Sequence, residues 1–347
     1  MDAAEDRPYP PLIDRAVFVT GATATGKSRI AMRLARQVGG EILSLDSIAV
    51  YRGMDIGTAK PDADDQAALP HHLIDQVDPD DDYSVARYLD AAHRVVDAVL
   101  DRGRVPIFVG GTPMFLKGVL RGFDPGPPAD WDFRRQVEED LARHGVDALR
   151  NRLWQVDPLS ASRIDANDSR RMIRALEVAK LTGQPLSHRQ QQFDTVRDAD
   201  QCAALVVRRD RTEIHQRINA RVEAMFDAGW VAEVRRLAQR FPTLSRTAAS
   251  AVGYREILQW AEEENLSADD PDAWPRRPPE EIVQQIAART RQMARRQETW
   301  FRSFTELTDL PGRQIDDDDQ AQQWVDRVAA RISGGPPFQL GQDKPDR

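Results

Sequence analysis

Cysteine is almost missing from this chain. Cys202 stands alone among 347 residues, which excludes an internal disulfide and a zinc cluster built on several thiolates. It falls in the strand-like run "CAALVV" (202–207), where a lone thiol serves as a small apolar core residue. Long apolar runs are missing too. No stretch approaches the ~18 residues that cross a bilayer, and the acidic, proline-rich start "MDAAEDRPYPPLIDR" has no apolar segment of the secretory kind. These absences predict a cytoplasmic protein with no membrane partner. An excess of positive charge is also lacking, because 48 basic and 56 acidic residues sum to −8. No global basic field announces a nucleic-acid partner, although phosphate contacts depend on local patches rather than on the total. There is no internal repeat, and nothing requires more than a monomer.

What is present is a phosphate loop. "GATATGKS" (21–28) lies between the strand-type run "RAVFV" (15–19) and "SRIAMRLARQV" (28–38), whose apolar residues recur at helical spacing. That setting matches G-x-x-x-x-G-K-[ST], the loop of ATP-binding and other nucleotide-binding proteins, whose backbone N–H groups cradle phosphate oxygens at the positive end of a helix dipole. Gly21 and Gly26 let the backbone turn tightly and approach an anion. Lys27 adds a charge on the outermost phosphates, and the Ser28 hydroxyl is placed to ligate Mg²⁺.

Around the loop, strand and helix signals alternate. After the loop helix (27–38) come a strand "EILSLD" (41–46), an amphipathic helix (84–103) and a strand "VPIFVGG" (105–111). This order predicts an α/β fold, a P-loop NTPase-like parallel sheet flanked by helices, with ligands at the carboxyl ends of its strands. From "RGFDPGPPAD" (121–130) the character changes to four short helix patterns reaching about 193, which predicts an inserted helical domain. "CAALVVRRD" (202–210) returns the chain to the sheet, and helices are expected at about 211–228, 230–240 and 280–303, with a loop at 262–281. The resulting domain map has an N-terminal extension at 1–14, a core at 15–121 and 200–310, an insertion at 122–199, and a disordered acidic tail at 311–347.

Chemistry-bearing residues gather at the strand ends. Asp46 closes the second strand beside the phosphate loop, where it reads as a general base, a Mg²⁺-associated carboxylate, or the cap of the next turn. Thr112 follows two glycines where an ATPase would carry a strand-end Asp. Its hydroxyl can donate to a phosphate, orient a nucleophile, or simply serve a turn. The pair His71–His72 lacks a third ligand at suitable spacing, so a structural or substrate-lining role is expected. Arginines cluster twice: Arg170, Arg171 and Arg174 in "SRRMIRALE", and Arg289, Arg291, Arg295, Arg296 and Arg302 beside Trp300 and Phe301 in "ARTRQMARRQETWFR". Both read as RNA backbone contacts with room for base stacking, or as solvated helix faces.

Over residues 15–304 the chain resembles the tRNA dimethylallyltransferases, or tRNA isopentenyltransferases. The resemblance rests on "GATATGKS", "DSIAVYRGMDIGTAKP" (46–61), "PHHLID" (70–75), "YSVARY" (83–88), "VGGTPMFLKGVLRG" (109–122), "NDSRRMIRALE" (167–177), "AVGYREI" (251–257) and "RQMARRQETWFR" (291–302) in that order. It implies a core that holds dimethylallyl diphosphate with Mg²⁺, and an insertion that grips the tRNA anticodon stem-loop. The reaction would place the allyl group on the exocyclic amine of the adenosine 3′ of the anticodon. It further implies that Asp46 is the base, that Thr112 lies in the catalytic channel, and that Lys27 acts on the leaving diphosphate. Gly21, Ala22, Thr23, Ala24, Thr25, Gly26, Lys27, Ser28 and Arg221 would bind the diphosphate. Asp46, Ser47, Ile48, Ala49, Thr112, Arg134, Arg170, Arg171, Met172, Ile173 and Arg174 would contact tRNA. The chain departs from the family pattern at Ala22, Thr25, Ala49 and Phe115. Rival expectations are a small-molecule kinase, an adenylate isopentenyltransferase acting on a free nucleotide, and an RNA-binding protein with a relic loop.

Overall fold

A computed structural model describes residues 8–189 and 196–338. The chain divides into two compact units, one of residues 12–116 and 197–338, the other of residues 8–11 and the described part of 117–196.

The first unit carries a six-stranded parallel sheet in the order β3-β2-β4-β1-β5-β6. In chain order its elements are β1 (Val17–Gly21), α1 (Lys27–Val38), β2 (Gly40–Leu45), α2 (Ala63–Ala68), β3 (His71–His72), α3 (Val85–Asp101) and β4 (Val105–Gly110). α4 (Pro113–Arg121) follows and carries the chain out into the second unit. The central strands are apolar on both faces, and β1 is buried along its whole length, as expected for a sheet covered by helices on each side. β5 (Ala204–Arg208) returns the chain to the sheet, as the apolar run around Cys202 predicted, and pairs with β1. Then come α9 (Arg211–Asp227), α10 (Trp230–Arg240), α11 (Arg246–Ala249), α12 (Tyr254–Glu263), α13 (Glu280–Phe301), β6 (Thr308–Pro311), α14 (Gly312–Asp316) and α15 (Asp318–Ile332).

The second unit holds α5 (Trp131–Val156), α6 (Pro158–Arg163), α7 (Ser169–Thr182) and α8 (Leu186–Arg189) around a small core of Phe133, Val137, Leu149, Leu153, Met172, Ile173 and Leu176. Gly145, at φ 79°, breaks the path of α5. The end of the expected helical stretch, residues 190–195, lies outside the described residues.

Both chain ends differ from the sequence expectation. Residues 12–14 are part of the sheet unit, with Leu12 and Ile13 buried, while Tyr9 exchanges two backbone hydrogen bonds with Phe123 at 2.8 and 3.0 Å. A separate extension over 1–14 is therefore replaced by two anchored segments, and residues 1–7 lie outside the described residues. The acidic tail is ordered through Phe338. Ala321, Trp324, Val325, Val328 and Ile332 of α15 are buried in one cluster with Ile30, Leu34 and Ala35 of α1. Their spacing of 3, 4 and 7 residues is an amphipathic stripe. The run of aspartates hides it, because Asp317 caps α15 by accepting from Gln320 N at 2.8 Å. Residues 339–347 of that expectation lie outside the described residues.

Candidate active site

β4 lies between β1 and β2, so the carboxyl ends of three adjacent strands deliver the phosphate loop, Asp46 and Thr112 to one edge of the sheet. They line a cavity of about 460 Å³, bounded by Thr23, Lys27, Ser28, Asp46, Thr112 and Arg221 on its polar side. Ile218, Val222, Met225, Trp230, Tyr254 and Met293 form its apolar side.

The loop is shaped by its own short bonds. The Thr25 hydroxyl donates to Ala22 O at 2.9 Å, and the Lys27 amine reaches the same carbonyl at 3.3 Å. Neither Lys27 nor Arg221 forms an ion pair among the described residues. Among the described residues Arg221 makes long contacts with the Thr23 hydroxyl and Thr58 O, both at 3.4 Å. Burial, and next the Arg221 guanidinium, hold the Lys27 amine down at about 8, with Asp46 opposing them. Burial also lowers Arg221, again against Asp46. Two cations facing one cavity with no ion pair among the described residues, and with Asp46 as the nearby negative charge, form a site that an anion would relieve.

Of the three readings of Asp46, the cap is the one seen in the hydrogen bonds. Oδ1 caps the turn, accepting from Ile48 N at 2.8 Å and Ala49 N at 3.2 Å. Oδ2 has no hydrogen-bond partner among the described residues, which leaves it open to accept a proton. Thr112 ties the end of β2 to the end of β4: its hydroxyl oxygen accepts from Ser47 N at 3.0 Å and lies 3.4 Å from Ser47 Oγ. Ser47, Ile48 and Ala49 all line the cavity, Ala49 at 4% exposure.

Gln297 escaped the sequence reading. From α13 its Oε1 accepts from Thr23 N at 2.9 Å and its Nε2 donates to Gly111 O at 2.8 Å, joining the phosphate loop to the end of β4. A Cβ on Gly111 would come within 2.7 Å of that amide, so the second glycine of "GGT" makes the bridge possible. The arginine-rich segment of α13 carries this glutamine, but no local signal separates it from a surface residue. Glu233 was missed as well. Buried in α10, it accepts from Asp55 N at 3.1 Å, Ile56 N at 2.8 Å and the Tyr254 hydroxyl at 2.6 Å, fixing the loop that ends at Lys60.

The expected RNA-contacting residues of the insertion divide by role. Met172 and Ile173 are core side chains, 1% and 5% exposed, because the helical stripe of α7 needs them there. Arg134 forks onto the buried Glu177 with two 2.8 Å bonds, and Arg174 donates to Pro125 O at 3.0 Å and Pro127 O at 2.8 Å. Arg174 thus holds the loop leading into the insertion, and Arg134 ties α5 to α7. Arg170 and Arg171 are exposed. On α13, Arg289 pairs with Glu256 at 3.1 Å and Arg291 donates to Asn219 at 2.6 Å. Arg295, Arg296 and Arg302 remain on the surface with Trp300, and Phe301 turns into the core at 1% exposure. His72 meets Glu41 at 2.6 Å beside Arg102, while His71 lines the cavity.

No helix among the described residues is long and apolar enough to cross a membrane. The IPP transferase family model matches residues 49–304, and an isopentenyl transferase model matches residues 15–78. The chain is 52% identical to a tRNA dimethylallyltransferase of Rhodopirellula baltica over 94% of this chain and 96% of that one. It is 41% identical to a tRNA dimethylallyltransferase of Geobacter sulfurreducens over 83% and 89%. Among solved structures, a full-length tRNA isopentenylpyrophosphate transferase from Bacillus halodurans superposes with a TM-score of 0.64 at 33% identity, covering 93% of this chain and 98% of that one.

Proposed function

The chain belongs to the IPP transferase family, the tRNA dimethylallyltransferases, and we propose that the cavity at its strand ends is where prenyl transfer to tRNA takes place. The donor is dimethylallyl diphosphate. The acceptor is the exocyclic N6 amine of the adenosine 3′ of the anticodon, presented by the anticodon stem-loop. One observation carries this reading: Lys27 and Arg221 line the cavity without an ion pair among the described residues, and Asp46, whose Oδ2 has no hydrogen-bond partner among them, lines the same space.

An adenine amine is a weak nucleophile, so the donor must be made a good electrophile and the amine must lose its proton as it reacts. The phosphate loop and Lys27 hold the diphosphate, and Arg221 closes over it from α9. The N6 lone pair forms a bond to C1 of the allyl group, the C1–O bond breaks, and its electron pair leaves with the diphosphate. Asp46 Oδ2 takes the amine proton. The apolar side at Val222, Met225 and Trp230 suits the allyl carbons and keeps water from the electrophile. Thr112 holds Ser47, and through it the turn that aims Asp46.

Mg²⁺ fits this place. The Ser28 hydroxyl and the Asp46 carboxylate line the cavity with Lys27, and hard oxygen donors of this kind suit the ion. When bound, the ion would neutralise diphosphate charge as the C–O bond breaks.

The test is transfer of radiolabelled dimethylallyl diphosphate, with Mg²⁺, to an anticodon stem-loop bearing adenosine 3′ of the anticodon, with AMP as competing acceptor. Label in the RNA, lost on Asp46→Ala, is the expected result. Label in AMP alone would move the activity to free nucleotides, and label in neither would overturn the proposal.

A further inference from the structure

We propose that Asp316, in α14 beyond the matched family region, is a positioning residue for the phosphate loop: it anchors Arg209, and Arg209 fixes the loop carbonyl of Thr25. The inference rests on the reading that this loop holds the donor's diphosphate.

A loop that turns its N–H groups toward an anion must turn some carbonyls away, and those need donors of their own. Here two arginines supply them from behind. Arg209 Nε donates to Thr25 O at 2.7 Å, and Arg217 Nε donates to Ala24 O at 2.9 Å. Ala24 sits at φ 65°, a left-handed conformation that alanine adopts only when its surroundings impose it.

The grip on Thr25 depends on where Arg209 is held. Its side chain is fully buried, and both ends of its fork meet Asp316, Nη1 to Oδ2 at 2.6 Å and Nη2 to Oδ1 at 2.7 Å. Glu213 also contacts Nη1. A bidentate pair fixes the plane of the guanidinium, which a single contact does not. The Arg209 bonds, against some burial, keep the Asp316 carboxyl below its usual range, so the pair is ionised at neutral pH.

The rest of the segment is seated to deliver this contact. A Cβ on Gly26, at φ 91°, would lie 3.2 Å from the Ile315 side chain and 3.4 Å from Arg209 Nη2, so α14 packs directly on the back of the loop. Arg29 of α1 donates to Ile315 O, and Arg33 pairs with Asp318. The family model ends at residue 304, so this brace is built by a segment that the match does not include.

The test compares full-length wild type with Asp316→Ala, Asp316→Asn, Asp316→Glu and Arg209→Gln. It measures Kd for inorganic diphosphate, KM for dimethylallyl diphosphate, KM for the RNA stem-loop, kcat and Tm. Loss of one charge-assisted contact predicts a rise of about tenfold in diphosphate Kd and donor KM for Asp316→Ala and Asp316→Asn. RNA KM and kcat should stay within about twofold, Asp316→Glu should recover most of the loss, and Asp316→Ala should add nothing in the Arg209→Gln background. If wild type binds diphosphate and Asp316→Ala binds it equally well, the inference is overturned while the site assignment stands. Equal losses in donor KM, RNA KM and kcat would also overturn it, by making Asp316 a general structural residue. A wild type that binds no diphosphate overturns the reading of the loop and this inference with it.

Discussion

Lys27→Met should make the ligand-free protein more stable while it destroys donor binding. Burial and the neighbouring Arg221 hold the Lys27 amine at about 8 against an ordinary 10.5. A folded state that disfavours the proton is penalised whenever the unfolded chain would carry one. The penalty is therefore complete below pH 8 and disappears as pH rises to about 10.5. The displacement corresponds to roughly 3 kcal/mol, a large share of the ~5–15 kcal/mol that holds a typical domain. Chemical denaturation of the ligand-free wild type and Lys27→Met at pH 7 should thus show the variant ahead by roughly 2–3 kcal/mol, and the gap should close progressively between pH 8 and 10.5. Inorganic diphosphate should stabilise the wild type strongly and the variant little, because the bound anion supplies the counter-charge that the buried ammonium lacks. A gap that does not change with pH would refute the reasoning, since replacing a stem by an apolar chain of similar length has no reason to titrate.

The other predictions concern separate parts of the molecule. Asp46→Asn keeps an oxygen that can cap the turn at Ile48 and Ala49 but has no base, so kcat should fall by about 10²–10⁴ with Tm and diphosphate Kd nearly unchanged; a parallel loss of fold would show that Asp46 is chiefly a cap. Glu177→Ala strands Arg134 and Arg174 in the insertion and should destabilise that unit by about 3–5 kcal/mol, read by hydrogen exchange confined to residues 117–189. Because its arginine partners keep the Glu177 carboxyl below its usual 4.5 despite burial, the insertion's stability should be intact above that value and decline as pH falls further. Arg170→Ala with Arg171→Ala should weaken stem-loop binding and flatten its salt dependence by about 0.7 per charge, if these exposed arginines meet RNA phosphates. Trp324→Ala should cost about 3–5 kcal/mol, whereas a disordered tail would tolerate it.

The parts of the site that were legible in sequence are those whose chemistry is local. A phosphate loop announces itself because its glycines, lysine and hydroxyl all act within eight residues, and Asp46 and Thr112 stand out because each ends an apolar strand. Four of the six strands could be placed for the same reason. The two edge strands could not: β3 is only His71–His72, too short for a pattern, and β6 (Thr308–Pro311) shows little alternation. Arginine roles were the least legible. Arg134 and Arg174 bind a buried glutamate, Arg209 an aspartate more than a hundred residues away, and Arg170 and Arg171 are exposed, yet all five look alike in the sequence. What separates them is the burial of the partner, which the sequence does not print.

The same limit conceals the order of the tail. Charge runs are good markers of disorder when no apolar stripe accompanies them, but here three neighbouring aspartates act separately. Asp316 holds an arginine behind the loop, Asp317 caps a helix, and Asp318 pairs with Arg33. Three adjacent residues of one type can do this only because α15 is already held by Trp324 and its neighbours. The apolar stripe therefore comes first in the physics and the aspartates second. The site's preorganisation thus depends on packing laid down more than 290 residues after the loop it supports.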